Sequence, residues 1–243
     1  FQKIGAFKAR GAMNTLLWLK EQNMLPKKVV AYSSGNHSQA VAFAARSLNI
    51  PCEIFVPANI SAVKFQATQS YGATVNRCPT RQEAEQRAQL LIEEEGAYLI
   101  PPYDHDQVIC GQGTACLEAF SQIDESIDAV FAPCGGGGLL SGTFIAARGL
   151  SANTQVIGAE PALANDAARS LKSGSIVRFD TSPPTIADGV RTLSISERTF
   201  HYLKQLDDFF EIAERDILYW TQWLCHLLKV HCEPTAALGM AAA

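Results

Sequence analysis

Short hydrophobic runs alternate along the chain with longer alanine-rich or amphipathic stretches. The runs are rich in valine and isoleucine and are bounded by turn-forming residues, which is typical of buried strands. The stretches between them are long enough for helices. The pattern predicts strands at 27–34, 51–57, 73–78, 97–102, 128–134 and 154–161, and helices at 36–50, 61–72, 81–95, 114–123, 139–150 and 216–230.

The repeated strand–helix order with short connections predicts an α/β fold with parallel sheets covered by helices on both faces. We expect right-handed crossovers and two lobes. The smaller lobe is expected at 21–102, and the larger, discontinuous lobe at 1–20 and 103–243. Because the chain begins with Phe1 inside a motif and ends in alanines of a predicted helix, we expect a longer parent protein.

Composition excludes several classes of protein. The 243 residues are 47% hydrophobic and 18% charged, which excludes a disordered protein. The net charge of -4 argues against a nucleic-acid-binding protein, and no apolar run reaches the ~18 residues of a membrane helix. The seven cysteines are odd in number and form no C-x-x-C pair. We therefore expect free thiols and a cytoplasmic location.

Four consecutive glycines stand between a predicted strand and a predicted helix, in the segment CGGGGLLSG (134–142). Bare N–H groups at the start of a helix form a binding site for phosphate. The segment lacks the Lys-Ser/Thr pair of a Walker loop and the third glycine of G-x-G-x-x-G. A flexible turn is the alternative, although an ordinary strand-to-helix turn needs only one or two glycines.

The segment SSGNH (33–37) also lies where a predicted strand ends and a helix begins. In open α/β sheets, ligands bind at the carboxyl ends of strands. Two hydroxyls, an amide, an imidazole and helix-end N–H groups suit a carboxylate and a neutral polar heteroatom. The alternative is a helix that is simply capped by these polar residues.

A lysine lies among small and apolar residues in the segment FQKIGAFKARGA (1–12). In such surroundings the pKa of an amine is lowered, and the amine can attack carbonyl compounds. Lys8 is flanked by Phe7 and Ala9. Taken alone, it is better explained as a surface lysine on a helix.

Two acidic residues follow a predicted strand in the segment GAEPALAND (158–166). Glu160 and Asp166, together with backbone oxygens, could hold Mg²⁺ or Ca²⁺. On spacing alone, acidic residues in the first turn of a helix are the better explanation.

Taken in this order, the segments resemble the fold-type II pyridoxal-phosphate enzymes of the serine/threonine dehydratase and serine racemase family. The resemblance extends from Phe1 to about Gly239 and implies a two-lobed fold. It implies that Lys8 binds pyridoxal 5'-phosphate as an internal aldimine. It further implies cofactor contacts from Asn36, the four loop glycines Gly135, Gly136, Gly137 and Gly138, Gly189 in TIADGVRT (185–192), and Glu233 in CEPTAALG (232–239).

The same resemblance places the substrate at Ser33, Ser34, Asn36 and His37. Threonine dehydratases often carry alanine at the place of Ser34, whereas racemases and related hydroxyaspartate and serine dehydratases carry serine. In those members the serine moves a proton on the substrate face opposite the lysine. Arg81 could reach a second carboxylate of a substrate such as hydroxyaspartate; a solvated arginine is the alternative.

The racemase-like members of the family also bind a divalent cation through two carboxylates and an alanine carbonyl. Glu160, Asp166 and Ala164 match these ligands. The resemblance therefore implies a site for Mg²⁺, Ca²⁺ or Mn²⁺ in this chain.

The resemblance implies an ammonia-lyase that converts a β-hydroxy amino acid, such as L-serine or L-threonine, to a 2-oxo acid and ammonia. It also implies that the protein forms a homodimer and binds a small amino-acid substrate. Neither a nucleic acid nor a membrane is expected as a partner. The alternatives are a serine racemase, a 3-hydroxyaspartate dehydratase, a β-replacement enzyme of the cysteine-synthase kind, or a non-catalytic pyridoxal-phosphate-binding protein. A dinucleotide-dependent oxidoreductase is disfavoured by the missing third glycine.

Overall fold

The computed structural model describes residues 2–33, 35–58, 60 and 62–243, except for the side chain of residue 81. The chain forms two compact units, Phe1–Gln112 and Gly113–Ala243.

The first unit is built on a sheet of four parallel strands in the order β3-β2-β1-β4. The strands are β1 (Val29–Tyr32), β2 (Cys52–Pro57), β3 (Thr74–Cys78) and β4 (Tyr98–Leu99). The helices are α1 (Lys8–Glu21), α2 (Asn36–Ser47), α3 (Ala62–Ser70), α4 (Arg81–Glu95) and α5 (Asp106–Gln122). The part of α5 that follows Gln112 belongs to the second unit. β1 pairs with β2 on one side and with β4 on the other. The carboxyl ends of β1 and β4 therefore flank a topological switch point, where α/β sheets bind ligands.

Alternation along the strands of this sheet creates two apolar layers. Val29 and Ala31 point into a core shared with α1 and α2. Val30 points to the opposite face, where Ala84 and Ala88 of α4 cover it. Both faces of the sheet are thus covered by helices, which confirms the predicted α/β class.

The second unit is built on three parallel strands in the order β5-β6-β7. The strands are β5 (Ala129–Pro133), β6 (Gln155–Pro161) and β7 (Asp208–Ile212), and the helices are α6 (Gly138–Leu150), α7 (Asp166–Ser173), α8 (Glu197–Leu203), α9 (Glu214–Leu228) and α10 (Leu238–Ala242). One face of the sheet packs on Leu140 and Phe200. The other face packs on Ile217 and Leu238.

Several elements differ from the expected pattern, among them β4, β7 and α8. β4 has two residues instead of six, because Pro101 and Pro102 have no N–H with which to extend the ladder. β7 lies in a segment that was not predicted as a strand; the acidic residues Asp208 and Glu211 interrupt its hydrophobic run. α8 has only seven residues, which is too short for a helical period to stand out.

The division between the two compact units falls between Gln112 and Gly113. α1 belongs to the first unit because Leu16 and Leu19 are buried with Val29 and Val41 in one core. The discontinuous lobe of residues 1–20 and 103–243 stays a prediction. None of the helices in the described part of the chain is long and apolar enough to cross a membrane.

Candidate active site

The segment that follows β1 forms a polar turn at the switch point of the first sheet. The Gly35 N–H donates to Ser33 Oγ at 3.3 Å, and Ser38 Oγ donates to the Gly35 carbonyl at 2.7 Å. α2 begins at Asn36, so the first N–H groups of this helix, which have no acceptor within the helix, and its positive dipole end lie at this turn. A Cβ at Gly35 would meet no atom within 4 Å. The turn therefore offers donors with open space beside them, as a carboxylate site requires.

His37 is buried and bonded to the chain segment that follows β4. Its Nε2 lies 2.7 Å from the Ile100 carbonyl, and since a carbonyl only accepts, Nε2 carries the proton. Burial, and secondarily the charge of Lys8, lowers the pKa of His37 to about 3. The ring is thus neutral, and its buried Nδ1 finds no partner among the described residues. Nδ1 can accept a hydrogen bond but cannot donate one to a substrate carboxylate.

Lys8 is the first residue of α1, and its amine is bonded to the same chain segment. Nζ donates to the Pro102 carbonyl at 2.5 Å, two residues beyond the acceptor of His37. Burial lowers the pKa of the Lys8 amine to about 8. About a quarter of the amine is therefore neutral at pH 7.5, compared with about 0.1% for an ordinary lysine. The lowered pKa is typical of a nucleophilic lysine rather than of the surface lysine that its isolated sequence favours.

The glycine segment forms the strand-to-helix turn of the second unit. β5 ends at Pro133, and Gly137, with φ 87°, lies directly before the 13-residue helix α6. A Cβ at Gly137 would lie 2.8 Å from Thr199 Cβ, and one at Gly135 would lie 3.1 Å from Val190 Cα. Position 137 thus requires glycine, and Gly135 has little room for a side chain. The N-terminus of a helix attracts an anion; phosphate binding at this loop stays a prediction.

Two further predicted cofactor residues, Gly189 and Glu233, lie together in the second unit. The Gly189 N–H donates to Thr235 Oγ1 at 3.0 Å. A Cβ at Gly189 would lie 2.8 Å from Thr235 Oγ1 and 3.3 Å from Glu233 Oε1. Since Val190 lies against Gly135, the glycine loop adjoins this cluster. Sequence reasoning missed Thr235, although it directly follows the Glu-Pro pair of the quoted motif.

The acidic pair lies at the carboxyl end of β6. Glu160 is fully buried and accepts the N–H groups of Ala168 at 2.6 Å and Ala167 at 3.3 Å, so it caps α7. Asp166 is 1% exposed, and neither carboxylate oxygen makes a hydrogen bond of good geometry among the described residues, although the backbone N–H groups of Asp166 and Ile195 lie close enough to lower its pKa. Burial raises the pKa of Glu160 to about 9 and that of Asp166 to about 7. Orphaned buried oxygens of this kind suit a cation.

Some predicted site residues receive little or no description. Ser34 lies outside the described residues. Arg81 begins α4, but its side chain is not described. Ala164 is buried in the short helical turn before Asp166. The described residues contain no group of three His, Cys, Asp or Glu side chains that could hold a metal ion; the predicted set has two carboxylates and one carbonyl.

The fold and the site define the class of protein. One parallel sheet has a half-buried lysine with a lowered pKa near its carboxyl end, and the other sheet is followed by a glycine loop that begins a helix. These are the parts expected of a fold-type II pyridoxal-phosphate enzyme.

Comparison with known proteins identifies the family. A family model described as "Pyridoxal-phosphate dependent enzyme" matches residues 1–243, and the chain belongs to this family.

Among curated relatives, the L-threo-3-hydroxyaspartate ammonia-lyase of Saccharomyces cerevisiae is 44% identical over all of this chain and 74% of its own length. The serine racemase of Schizosaccharomyces pombe is 42% identical, over all of this chain and 75% of its own length. The crystal structure of the T.th. threonine deaminase is 43% identical with a TM-score of 0.93, covering 99% of this chain and 78% of that chain. Related proteins thus include both ammonia-lyases and racemases.

Proposed function

We propose that the protein is an ammonia-lyase that converts a β-hydroxy amino acid to a 2-oxo acid and ammonia. L-Serine would give pyruvate, and L-threonine would give 2-oxobutanoate. The observation that carries the proposal is the half-buried Lys8 amine, with its pKa near 8 and close enough to His37 of the polar turn to lower the pKa of that ring. The names of the relatives support the reaction class.

The cofactor would be held by one covalent bond and by hydrogen bonds. Lys8 would attach it covalently, and the loop glycines Gly135–Gly138 would donate their N–H groups to the phosphate. Gly189, Glu233 and Asn36 would lie beside the ring. When bound, pyridoxal phosphate supplies an electron sink that stabilises negative charge at the substrate Cα.

Lys8 would also act as the base. Once its amine is free, the pKa near 8 leaves it able to take the Cα proton at physiological pH and to return it afterwards. The Pro102 carbonyl, 2.5 Å from Nζ, gives the free amine a fixed place. Such a fixed place keeps the base oriented between successive proton transfers.

The substrate carboxylate would bind at the polar turn 33–37. The first N–H groups of α2, which have no acceptor within the helix, would supply the donors, whereas the neutral ring of His37 has already given its one N–H to the Ile100 carbonyl. We propose that Ser34 moves a proton on the substrate face opposite Lys8. We propose Arg81 as a contact for the second carboxylate of hydroxyaspartate.

Racemisation is a second candidate activity, favoured by the similarity to serine racemases. Elimination and racemisation share the loss of the Cα proton to Lys8. They differ in whether the β-hydroxyl then leaves or a proton returns from the opposite face, which is the role proposed for Ser34.

Product analysis tests the proposed function. The cofactor-loaded protein should release equimolar 2-oxo acid and ammonia from one or more of L-serine, L-threonine and the 3-hydroxyaspartate diastereomers. Chiral chromatography of unreacted serine measures racemisation, which Ser34→Ala should suppress while sparing elimination of L-serine. Incorporation of added sulfide without 2-oxo acid would instead identify a β-replacement enzyme.

We propose that a divalent cation binds at Asp166, with Glu160 and the Ala164 carbonyl as further ligands. The unpartnered Asp166 oxygens support this site. Because Glu160 already caps α7, the cation would also stabilise that helix. Its role would be structural, since all these residues lie on or beside β6 and α7.

Removal of the cation provides a second test. At a hundredfold excess over Kd, Mg²⁺ should stabilise the wild-type protein by about 2.7 kcal/mol, which raises Tm by about 5–10 °C at this chain length. Asp166→Asn should abolish that increase, whereas Asp124→Asn, an exposed control, should retain it. An equal Mg²⁺ response in both variants would exclude Asp166 as a ligand.

We further propose that the protein is a cytoplasmic homodimer. The location is supported by the seven cysteines, all of which are free. The dimer is supported only by the family resemblance, and light scattering of the purified protein would test it.

A further inference from the structure

Gln112 is a buried polar side chain for which the proposed reaction has no role. It lies in α5, is 1% exposed, and its Nε2 has no hydrogen-bond partner among the described residues. A buried amide with an unused donor is unfavourable, and an apolar side chain of the same size would avoid that cost. Its presence therefore calls for a local explanation.

The other end of the amide is bonded to the helix that carries Lys8. Oε1 of Gln112 accepts the N–H of Gly11 at 3.1 Å. Because an N–H can only donate, this bond also fixes which end of the amide is oxygen. Gly11 lies in the first turn of α1, three residues after Lys8. The bond joins residues 101 positions apart in the chain.

Two glycines, Gly11 and Gly111, allow the backbones of α1 and α5 to pack closely against each other beside this bond. A Cβ at Gly11 would lie 2.3 Å from Gln112 Nε2, and one at Gly111 would lie 2.6 Å from Gly11 Cα. Neither position has room for a side chain. The side-chain amide of Gln112 therefore packs directly against the first turn of α1, where it has little room to move.

The same helix contact continues on both sides of Gly11. Asn14 Nδ2 donates to the Gln107 carbonyl at 2.8 Å, one turn later along α1. One turn earlier, Lys8 Nζ donates to the Pro102 carbonyl, four residues before α5 begins. The Gln112–Gly11 bond therefore lies between two other contacts that fix α1 against residues 102–112.

We propose that Gln112 is a positioning residue for Lys8: by bonding Gly11, it fixes the first turn of α1 so that the Lys8 amine reaches the Pro102 carbonyl. The inference rests on the proposed function, in which Lys8 is the attachment point and the base. Without the bond, the helix end moves and the amine gains access to water.

The test compares Gln112→Met, which keeps the shape without an acceptor, with Thr15→Val as the matched control. Thr15 is also buried in α1 and bonds Gly11, but its Oγ1 donates to the carbonyl of Gly11 within the same helix. Cofactor-free protein is labelled with an amine-reactive reagent over a range of pH, and the Lys8 peptide is followed by mass spectrometry. The pH at which Lys8 labelling is half-maximal should be about 8 in the wild type and in Thr15→Val. In Gln112→Met it should be about 9 or higher, closer to the value of an ordinary lysine.

Kinetics provide an independent readout of positioning. In Gln112→Met, kcat should fall about 10- to 100-fold, with KM changed less than about twofold, because a misplaced base slows proton transfer more than it weakens binding. Gln112→Asn, whose shorter amide does not reach Gly11, should reproduce both effects. An unchanged labelling midpoint, or loss of folding in both Gln112 variants, would overturn the proposal and leave Gln112 a purely structural residue.

The labelling experiment separates this inference from the proposed function. The experiment needs no turnover and no cofactor. If the wild-type protein is inactive but the pH midpoint of Lys8 labelling depends on Gln112, only the proposed reaction is contradicted. Conversely, if the enzyme is active but the pH midpoint of Lys8 labelling is the same in the Gln112 variants, only the positioning role is contradicted.

Discussion

Lys8→Ala is expected to abolish covalent attachment of pyridoxal phosphate and to lower turnover at least about 1,000-fold, since one group serves as attachment point and base. Borohydride reduction of the loaded wild-type protein should fix the cofactor to the peptide that contains residue 8. The variant should show no label on that peptide and should lack the visible absorption of the attached cofactor.

The matched control is Lys20→Ala, which removes an exposed lysine from the same helix. It should bind the cofactor and turn over substrate like the wild type. A reduced cofactor found on another lysine of the wild-type protein would contradict the assignment of Lys8.

The pH dependence of cofactor capture tests the lowered pKa of Lys8 directly. The neutral amine is the reactive form, so the capture rate of the cofactor-free protein should rise about tenfold for each pH unit below 8. It should level off above about pH 8, where the amine is already neutral. An ordinary lysine would instead show a rate that keeps rising to about pH 10.4.

Gly137→Ala is expected to destabilise the protein by about 1–3 kcal/mol, because alanine at positive φ is strained. The new Cβ would also lie 2.8 Å from Thr199 Cβ. Thr199 is buried and forms a capping box with Ser196 at the start of α8, so it cannot move without a cost of its own. The shift displaces the first turn of α6, and we expect at least about tenfold weaker cofactor binding, or about 1.4 kcal/mol.

Gly149→Ala is the control for this substitution. Gly149 lies in the same helix, has no positive φ, and a Cβ there would meet no atom within 4 Å. Alanine should therefore leave cofactor affinity unchanged and stabilise α6 by about 0.5–1 kcal/mol. Denaturant unfolding and cofactor titration of both variants would check these expectations. Equal behaviour of the two would mean that the turn tolerates a side chain.

Most of the fold could be predicted because most of its strands are short segments rich in hydrophobic residues and bounded by turn-forming residues. The runs that became β1, β2, β3, β5 and β6 were each predicted within two residues at their starts and ends. β4 was predicted too long because the segment 97–102 is as apolar as a strand. The two prolines shorten it, and the carbonyls of Ile100 and Pro102 are left to accept hydrogen bonds from His37 and Lys8.

The start of α5 shows how packing overrides local propensity. The sequence predicted this helix from 114, since Gly111 and Gly113 are poor helix formers. The helix begins at Asp106 and passes through both glycines. A Cβ at Gly113 would lie 2.6 Å from the Gly142 carbonyl, so the glycine is needed for close contact with α6. Because the predicted helix began at 114, Gln112 lay outside it, and no sequence pattern indicated that this side chain lies against α1.

The sequence by itself determined the order of strands and helices, the glycines that precede α6, and the lysine motif, because these depend on residue type and local spacing. Only the tertiary structure decided the chemical state of the site. The pKa values of the Lys8 amine and the His37 ring fall because folding removes water from them, and desolvation is a property of the packed environment that no local pattern contains.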